Sequence, residues 1–145
     1  MLAEKIVNHF SKVPINVVVA PAIGGIVIGQ EVGRQMGIRT IFSERENGTM
    51  CLRRGFTINK DERVLVCEDV VTTGGSVFEL IDIVKQRGAL VAGVGFIVDR
   101  SGGMVNFVTD QFSVFKLHAE SYNPEDCPLC ADKIPLKKPG SRNIY

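Results

Sequence analysis

Residues 64–76 read Val64-Leu65-Val66-Cys67-Glu68-Asp69-Val70-Val71-Thr72-Thr73-Gly74-Gly75-Ser76, and this stretch decides the fold class. Val64–Cys67 is apolar without alternation, so Arg63–Cys67 predicts a buried strand. That strand ends in two adjacent acids, followed by two valines and a Thr/Gly-rich turn. Gly75–Arg87 then places Val77, Leu80, Ile81 and Val84 at i, i+3, i+4 and i+7, the spacing of one helix face. Gly88 supplies the C-terminal stop. A strand that feeds an amphipathic helix through a tight turn is half of a βαβ unit, which implies a parallel sheet.

The same alternation continues on both sides. Upstream, Asn16–Ala20 predicts a second buried strand, and Gly24–Met36 a helix. Gly25, Gly29 and Gly33 share one face of that helix, and their cost in helix propensity implies close packing there. Residues 2–10 put Leu2, Ile6, Val7 and Phe10 on a helical face, and Arg39–Phe42 reads as a short strand. Ser43–Gly55 is polar and non-periodic, a loop or flexible hairpin. Downstream, Leu90–Asp99 is a strand, and Val105–Leu117 holds one or two more. From about Ser121 the Pro, Lys and Gly content predicts an irregular tail over the surface. The expectation is one α/β domain over 1–145, with a mainly parallel sheet flanked by helices.

With 145 residues the chain suits one domain and is too short for two ordinary ones. Its formal charge of +1 gives no support to binding nucleic acid or an anionic membrane. No apolar run approaches the ~20 residues of a membrane span, and residues 1–10 are not a signal peptide. Of the four cysteines, Cys67 reads as a small buried hydrophobe and Cys51 as exposed or mobile. Cys127 and Cys130 form a lone CxxC, weak for zinc even with His118 added; a local turn or redox-sensitive dithiol fits better. A reducing cytoplasm is the expected compartment.

Chemically, Val64–Ser76 is an anion cradle at the carboxyl end of a strand. Glycines permit exposed backbone N–H groups, the hydroxyls add donors, and the helix start adds positive potential. Glu68 and Asp69 before it suit a ligand that carries both phosphate and vicinal hydroxyls, bound directly or through Mg²⁺ and its waters. The bland reading is a capped helix with two solvated acids. No Gly-Lys-Ser/Thr follows, so this is not a Walker A loop, and GxGxxG is absent.

Hydrophobic strand, two acids, two aliphatics and a Thr/Gly turn resemble the phosphoribosyl pyrophosphate (PRPP) signature of type I phosphoribosyltransferases. That resemblance implies a Rossmann-like core. Ala20-Pro21-Ala22-Ile23-Gly24-Gly25 resembles the family's pyrophosphate loop, and Ser43–Gly55 lies where the family keeps its mobile catalytic loop. More narrowly, ERENG…LRRGF, Val98-Asp99-Arg100, the run Tyr122–Cys130 and Lys138–Arg142 resemble orotate phosphoribosyltransferases.

The resemblance implies transfer of ribose 5-phosphate from Mg²⁺-PRPP to orotate, in pyrimidine biosynthesis, by a homodimer. PRPP would be bound by Glu68, Asp69, Val70, Val71, Thr72, Thr73, Gly74, Gly75 and Ser76, the last five on the 5′-phosphate. Ala22, Ile23, Gly24 and Gly25 would meet the pyrophosphate. Arg45, Arg53 and Arg54 would supply catalytic charge, within the chain or across a dimer interface, with Asp69 also catalytic. Arg100 would take orotate's carboxylate, and Thr72 would also touch the base. No direct protein ligand to Mg²⁺ is expected; Glu68 and Asp69 would reach it through water. Bland readings stand beside these: solvated charge for Arg45, hairpin salt bridges for Arg53 and Arg54, an Asp99–Arg100 ion pair, and incidental His9 and His118.

Two departures stand out. The loop has arginines where many relatives carry lysine, and the N-terminal hood of the family is missing, so the chain is either shortened or hoodless. The competing expectations are a phosphoribosyltransferase for a purine-type base, or a PRPP-binding regulator without turnover.

Overall fold

The computed structural model describes residues 1–117, 122–123 and 125–135. Its elements run α1 (Leu2–His9), β1 (Val17–Pro21), α2 (Gly24–Met36), β2 (Arg39–Glu46), β3 (Thr49–Leu52), β4 (Arg63–Val71), α3 (Gly75–Gln86), β5 (Leu90–Asp99), β6 (Gln111–Lys116) and α4 (Pro128–Ala131). The six strands form one sheet in the order β3-β2-β1-β4-β5-β6. All neighbours are parallel except β3, which returns antiparallel on β2.

Alternation within the central strands supplies both cores. Val17, Val19, Val64 and Val66 meet Val77, Leu80, Ile81 and Val84 of α3 on one face. Val18, Leu65 and Cys67 meet Ala3, Ile6 and Phe10 at the α1 end and Ile28 and Val32 of α2 on the other. This explains why NVVVA and VLVC read as unbroken apolar runs: each strand is covered on both sides. The glycine face of α2 packs close, as its spacing implied. A methyl group at Gly29 would lie 2.9 Å from Ala20 Cβ, and one at Gly33 only 1.9 Å from Thr40 Oγ1.

Three segments depart from expectation. β4 runs through Glu68 and Asp69 to Val71, because β5 offers Val98 and Asp99 as ladder partners to Val70 and Val71. Acidic residues are poor strand formers by composition, so the strand reads four residues short in sequence. β2 likewise extends from Phe42 to Glu46, and Ser43–Gly55 is an ordered hairpin whose turn carries Asn47 and Gly48 at positive φ. Cys51 is half-buried within it, its thiol donating to the Glu44 carbonyl at 3.5 Å. Leu2, expected on the buried face of α1, is exposed.

Candidate functional site

Strand order reverses between β1 and β4: β1 leads through α2 to β2 on one side, and β4 through α3 to β5 on the other. In open α/β sheets the crevice at that switch point, beyond the carboxyl ends of the strands, is where ligands bind. A cleft of about 730 Å³ opens there, lined by residues 22–24, Glu44, Arg45 and residues 68–77.

Two helices start at this cleft. α2 follows β1 after a turn containing a cis Ala22–Ile23 peptide, and α3 follows β4 after Thr72–Gly74. Neither has a side-chain cap: the N-cap residues are Ile23 and Gly74. Uncapped helix starts leave backbone N–H groups and the positive end of the dipole available to an anion. Gly74 sits at φ +75°, a conformation that side chains rarely adopt, and a methyl there would meet Val105 and Phe107 at 2.9 and 3.0 Å. Geometry and packing therefore both require glycine at this position.

The acids lie against the start of α2. A methyl on Gly24 would fall 2.1 Å from Asp69 Oδ2, and one on Gly25 3.1 Å from Glu68 Oε1. Glycine is what lets the helix start and the carboxylates share this space. Asp69 Oδ1 accepts from the Val70 amide at 2.8 Å, and Glu68 Oε1 from the Asp69 amide at 3.0 Å. Glu68 is buried and Asp69 half-buried.

The hairpin arginines are all paired. Arg45 forks onto Glu79 of α3, Arg53 contacts Glu46 at 3.2 Å, and Arg54 forks onto Glu44 at 2.7 and 2.9 Å. The Glu79 carboxylate raises the Arg45 pKa, and the Arg54 guanidinium holds the Glu44 carboxyl below its ordinary range. Among the described residues Arg45 is the one cation lining the cleft; Arg53 and Arg54 lie outside it. Arg100 is exposed and also outside the lining, although its amide bonds the Val71 carbonyl at 2.8 Å, at the cleft's end of the sheet. The Asp99–Arg100 pair of the bland reading is absent. Asp99 is buried and accepts instead from the Ser101 amide and hydroxyl at 2.8 and 2.6 Å.

Thus Ala22, Ile23, Gly24, Arg45 and Glu68–Ser76 come together, while Gly25 lies just behind the lining. Glu44 and Val77 line the cleft without having been singled out in the sequence. No sequence signal singles out Glu44: it adjoins Arg45 in β2, whose continuation to Glu46 brings this stretch to the cleft. His9 is remote, bonded to Asp110 at 3.0 Å and stacked on Phe112.

No cluster of three or more metal-ligating side chains exists among the described residues. At the tail, the backbone N–H and thiol of Cys130 bond the Cys127 sulfur and lower its pKa, while that of Cys130 is raised. The suggested third ligand, His118, lies outside the described residues, as do Pro124 and Lys138–Arg142. No helix among the described residues is long and apolar enough to cross a membrane.

A switch-point cleft with two uncapped helix starts and an acidic pair defines a phosphoribosyltransferase of type I. Consistently, the phosphoribosyl transferase domain model matches residues 1–129. The fold resembles adenine phosphoribosyltransferase from Thermoanaerobacter pseudethanolicus, with a TM-score of 0.70 at 14% identity over 80% of this chain and 78% of that one. An orotate phosphoribosyltransferase of Chlorobium phaeobacteroides (strain BS1) is 56% identical over 99% of this chain and 74% of its own length. Another, from Caldanaerobacter subterraneus subsp. tengcongensis, is 52% identical over 99% of this chain and 76% of that one. The chain belongs to the orotate phosphoribosyltransferase family.

Proposed function

We propose that the protein transfers ribose 5-phosphate from PRPP to orotate, giving orotidine 5′-monophosphate and pyrophosphate. The bond from the ribose anomeric carbon to the diphosphate breaks, and a bond from that carbon to the base nitrogen forms. The observation that carries the reading is the convergence of two uncapped helix starts and two carboxylates on one cleft. A substrate with a phosphate at one end, a diphosphate at the other and vicinal hydroxyls between them matches that pattern. The names of the relatives that are more than half identical favour orotate over a purine-type base.

In this reading Thr72–Ser76 hold the 5′-phosphate and Glu68 and Asp69 the ribose hydroxyls. Ala22–Gly25 face the diphosphate, and Arg45 stabilises its departing charge. The transition state is oxocarbenium-like, so leaving-group stabilisation and exclusion of water outweigh activation of a nucleophile. Arg53 and Arg54 serve the hairpin, and become catalytic only by leaving their carboxylates. Arg100, with no carboxylate partner among the described residues, has its fork available for orotate's carboxylate, with Thr72 beside it. Mg²⁺ fits this donor set as an ion carried by substrate phosphates and water, with Asp69 and Glu68 in reach through water, since a carboxylate pair is a typical protein share of such a site. When bound it neutralises diphosphate charge. A homodimer in the cytoplasm completes the reading.

The test is formation of orotidine 5′-monophosphate from PRPP and orotate with Mg²⁺, run beside a panel of purine bases. Orotate consumption with stoichiometric pyrophosphate supports the reading. Turnover of a purine alone moves the base assignment. PRPP binding by calorimetry with no base consumed at high protein concentration makes the chain a binding regulator.

A further inference from the structure

Arg45 is held at the cleft by an acid to which the proposed reaction gives no role. Its Nη1 donates to the Gly48 carbonyl at 2.7 Å and to Glu79 Oε2 at 3.0 Å, and its Nη2 to Glu79 Oε1 at 2.5 Å. Glu79 therefore takes the end-on edge of the guanidinium, and Gly48 the outer hydrogen of Nη1. The Nε–H and the outer hydrogen of Nη2 have no acceptor among the described residues. Those two hydrogens form the side-on fork, the geometry that grips an oxyanion through two parallel bonds.

Glu79 also has a telling position. It lies one turn into α3, four residues after Gly75, on the helix whose start lines the cleft. The Arg45–Glu79 pair thereby registers the β2–β3 hairpin to the cradle. The other nearby carboxylate, Glu44, is taken by Arg54 and does not substitute. Both partners are well exposed, at 37% and 41%, and such pairs contribute little to stability. What the pair does fix is orientation: a long side chain on an exposed hairpin otherwise samples many rotamers.

We infer that Glu79 is a positioning residue, which orients Arg45 so that its side-on fork meets the departing diphosphate. This rests on the proposed role of Arg45. Glu79 partly neutralises the charge it orients, so its effect belongs to geometry in the transition state and not to ground-state attraction.

A double-mutant cycle tests this. Glu79→Gln keeps the shape but loses the two-oxygen acceptor; it is expected to lower kcat about tenfold with KM for PRPP changed less than about twofold, as for a misplaced group. Glu79→Asp, one methylene shorter but still a carboxylate, recovers part of the loss. In an Arg45→Ala background Glu79→Gln costs nothing more, because it acts only through Arg45. Losses that multiply, or a changed KM with kcat intact, overturn the inference. Unchanged kcat in Glu79→Gln alongside a loss in Arg45→Ala also overturns it, while the role of Arg45 survives. Unchanged kcat in Arg45→Ala overturns both. Coincident circular dichroism and thermal midpoints across the set show that folding is not what is read.

Discussion

The turn after β4 and the hairpin after β2 border the same cleft and handle charge in opposite ways. Thr72–Ser76 contains no charged side chain; what it presents is backbone and hydroxyl, at an uncapped helix start. Gly74 backs directly onto Val105, Phe107 and Phe78, so the turn is packed in place. The hairpin is the reverse. Its β3 is an edge strand, and Arg45, Arg53 and Arg54 each hold a carboxylate at the surface. Backbone donors cannot swing away, nor can a neighbouring acid cancel them, so the turn is organised before any ligand arrives. Exposed ion pairs contribute little to stability and are screened by salt, so what they give the hairpin is orientation of its side chains. The contrast is between fixed backbone donors at the turn and side-chain charge at the hairpin; in the proposed function the first binds the ground state and the second meets the leaving charge.

The largest expected effect lies on the turn side. Asp69→Asn keeps the bond from the Val70 amide but removes the charge beside the start of α2. Affinity for Mg²⁺-PRPP measured by calorimetry should fall roughly 10²-fold, the scale for losing one partner of a charge-assisted contact, with the thermal midpoint retained. Normal affinity in this variant would detach the acidic pair from substrate. Gly24→Ala comes next. Its methyl would lie 2.1 Å from Asp69 Oδ2, so the carboxylate must move. About a tenfold weakening is expected, smaller than for Asp69→Asn because a displaced carboxylate keeps its charge. An alanine variant that binds PRPP as well as the parent would show that the contact between Asp69 and α2 has no functional weight.

The same contrast explains what the sequence could disclose. The turn was legible because its chemistry is local: strand, acids, glycines and helix follow one another within residues 64–76, and the backbone does the rest. The helix Gly24–Met36 and strand Leu90–Asp99 were legible to the residue, since periodicity and flanking turns bound them on both sides. The hairpin was legible only as an alternative to a loop, with salt bridges for Arg53 and Arg54 but no named partners, because its order comes from elsewhere. Glu79 is 34 positions from Arg45, and nothing in ERENG says which carboxylate each arginine will meet. The bland alternative of an Asp99–Arg100 pair fails for a related reason. Asp99 adjoins Arg100 in sequence, yet strand alternation points neighbours apart, and the Ser101 hydroxyl captures its carboxylate. The Glu68–Val71 extension of β4 was hidden because the partner strand, not the residues' own propensity, decides where pairing stops.

The smallest effect concerns the hairpin's ion pairs themselves. The Arg54 guanidinium bonds Glu44 and lowers its pKa from the ordinary 4.5. A carboxylate depressed in the folded state contributes stability that is present above its unfolded value and is lost as pH falls through the folded one. Hydrogen exchange of the hairpin amides, corrected for intrinsic rates, should therefore be flat from about pH 8 to pH 5 and rise only at more acid pH. The β4–β5 amides should stay protected throughout, since those strands lie inside the sheet. Salt gives an independent handle: raising ionic strength from about 0.05 to 0.5 M at neutral pH should modestly loosen the hairpin and leave the turn unchanged, because exposed pairs are screened and packed backbone is not. A hairpin indifferent to both acid and salt would be held by its ladder alone. Its ion pairs would then orient the arginines without holding the hairpin together, and the contrast between turn and hairpin would be one of side-chain reach alone.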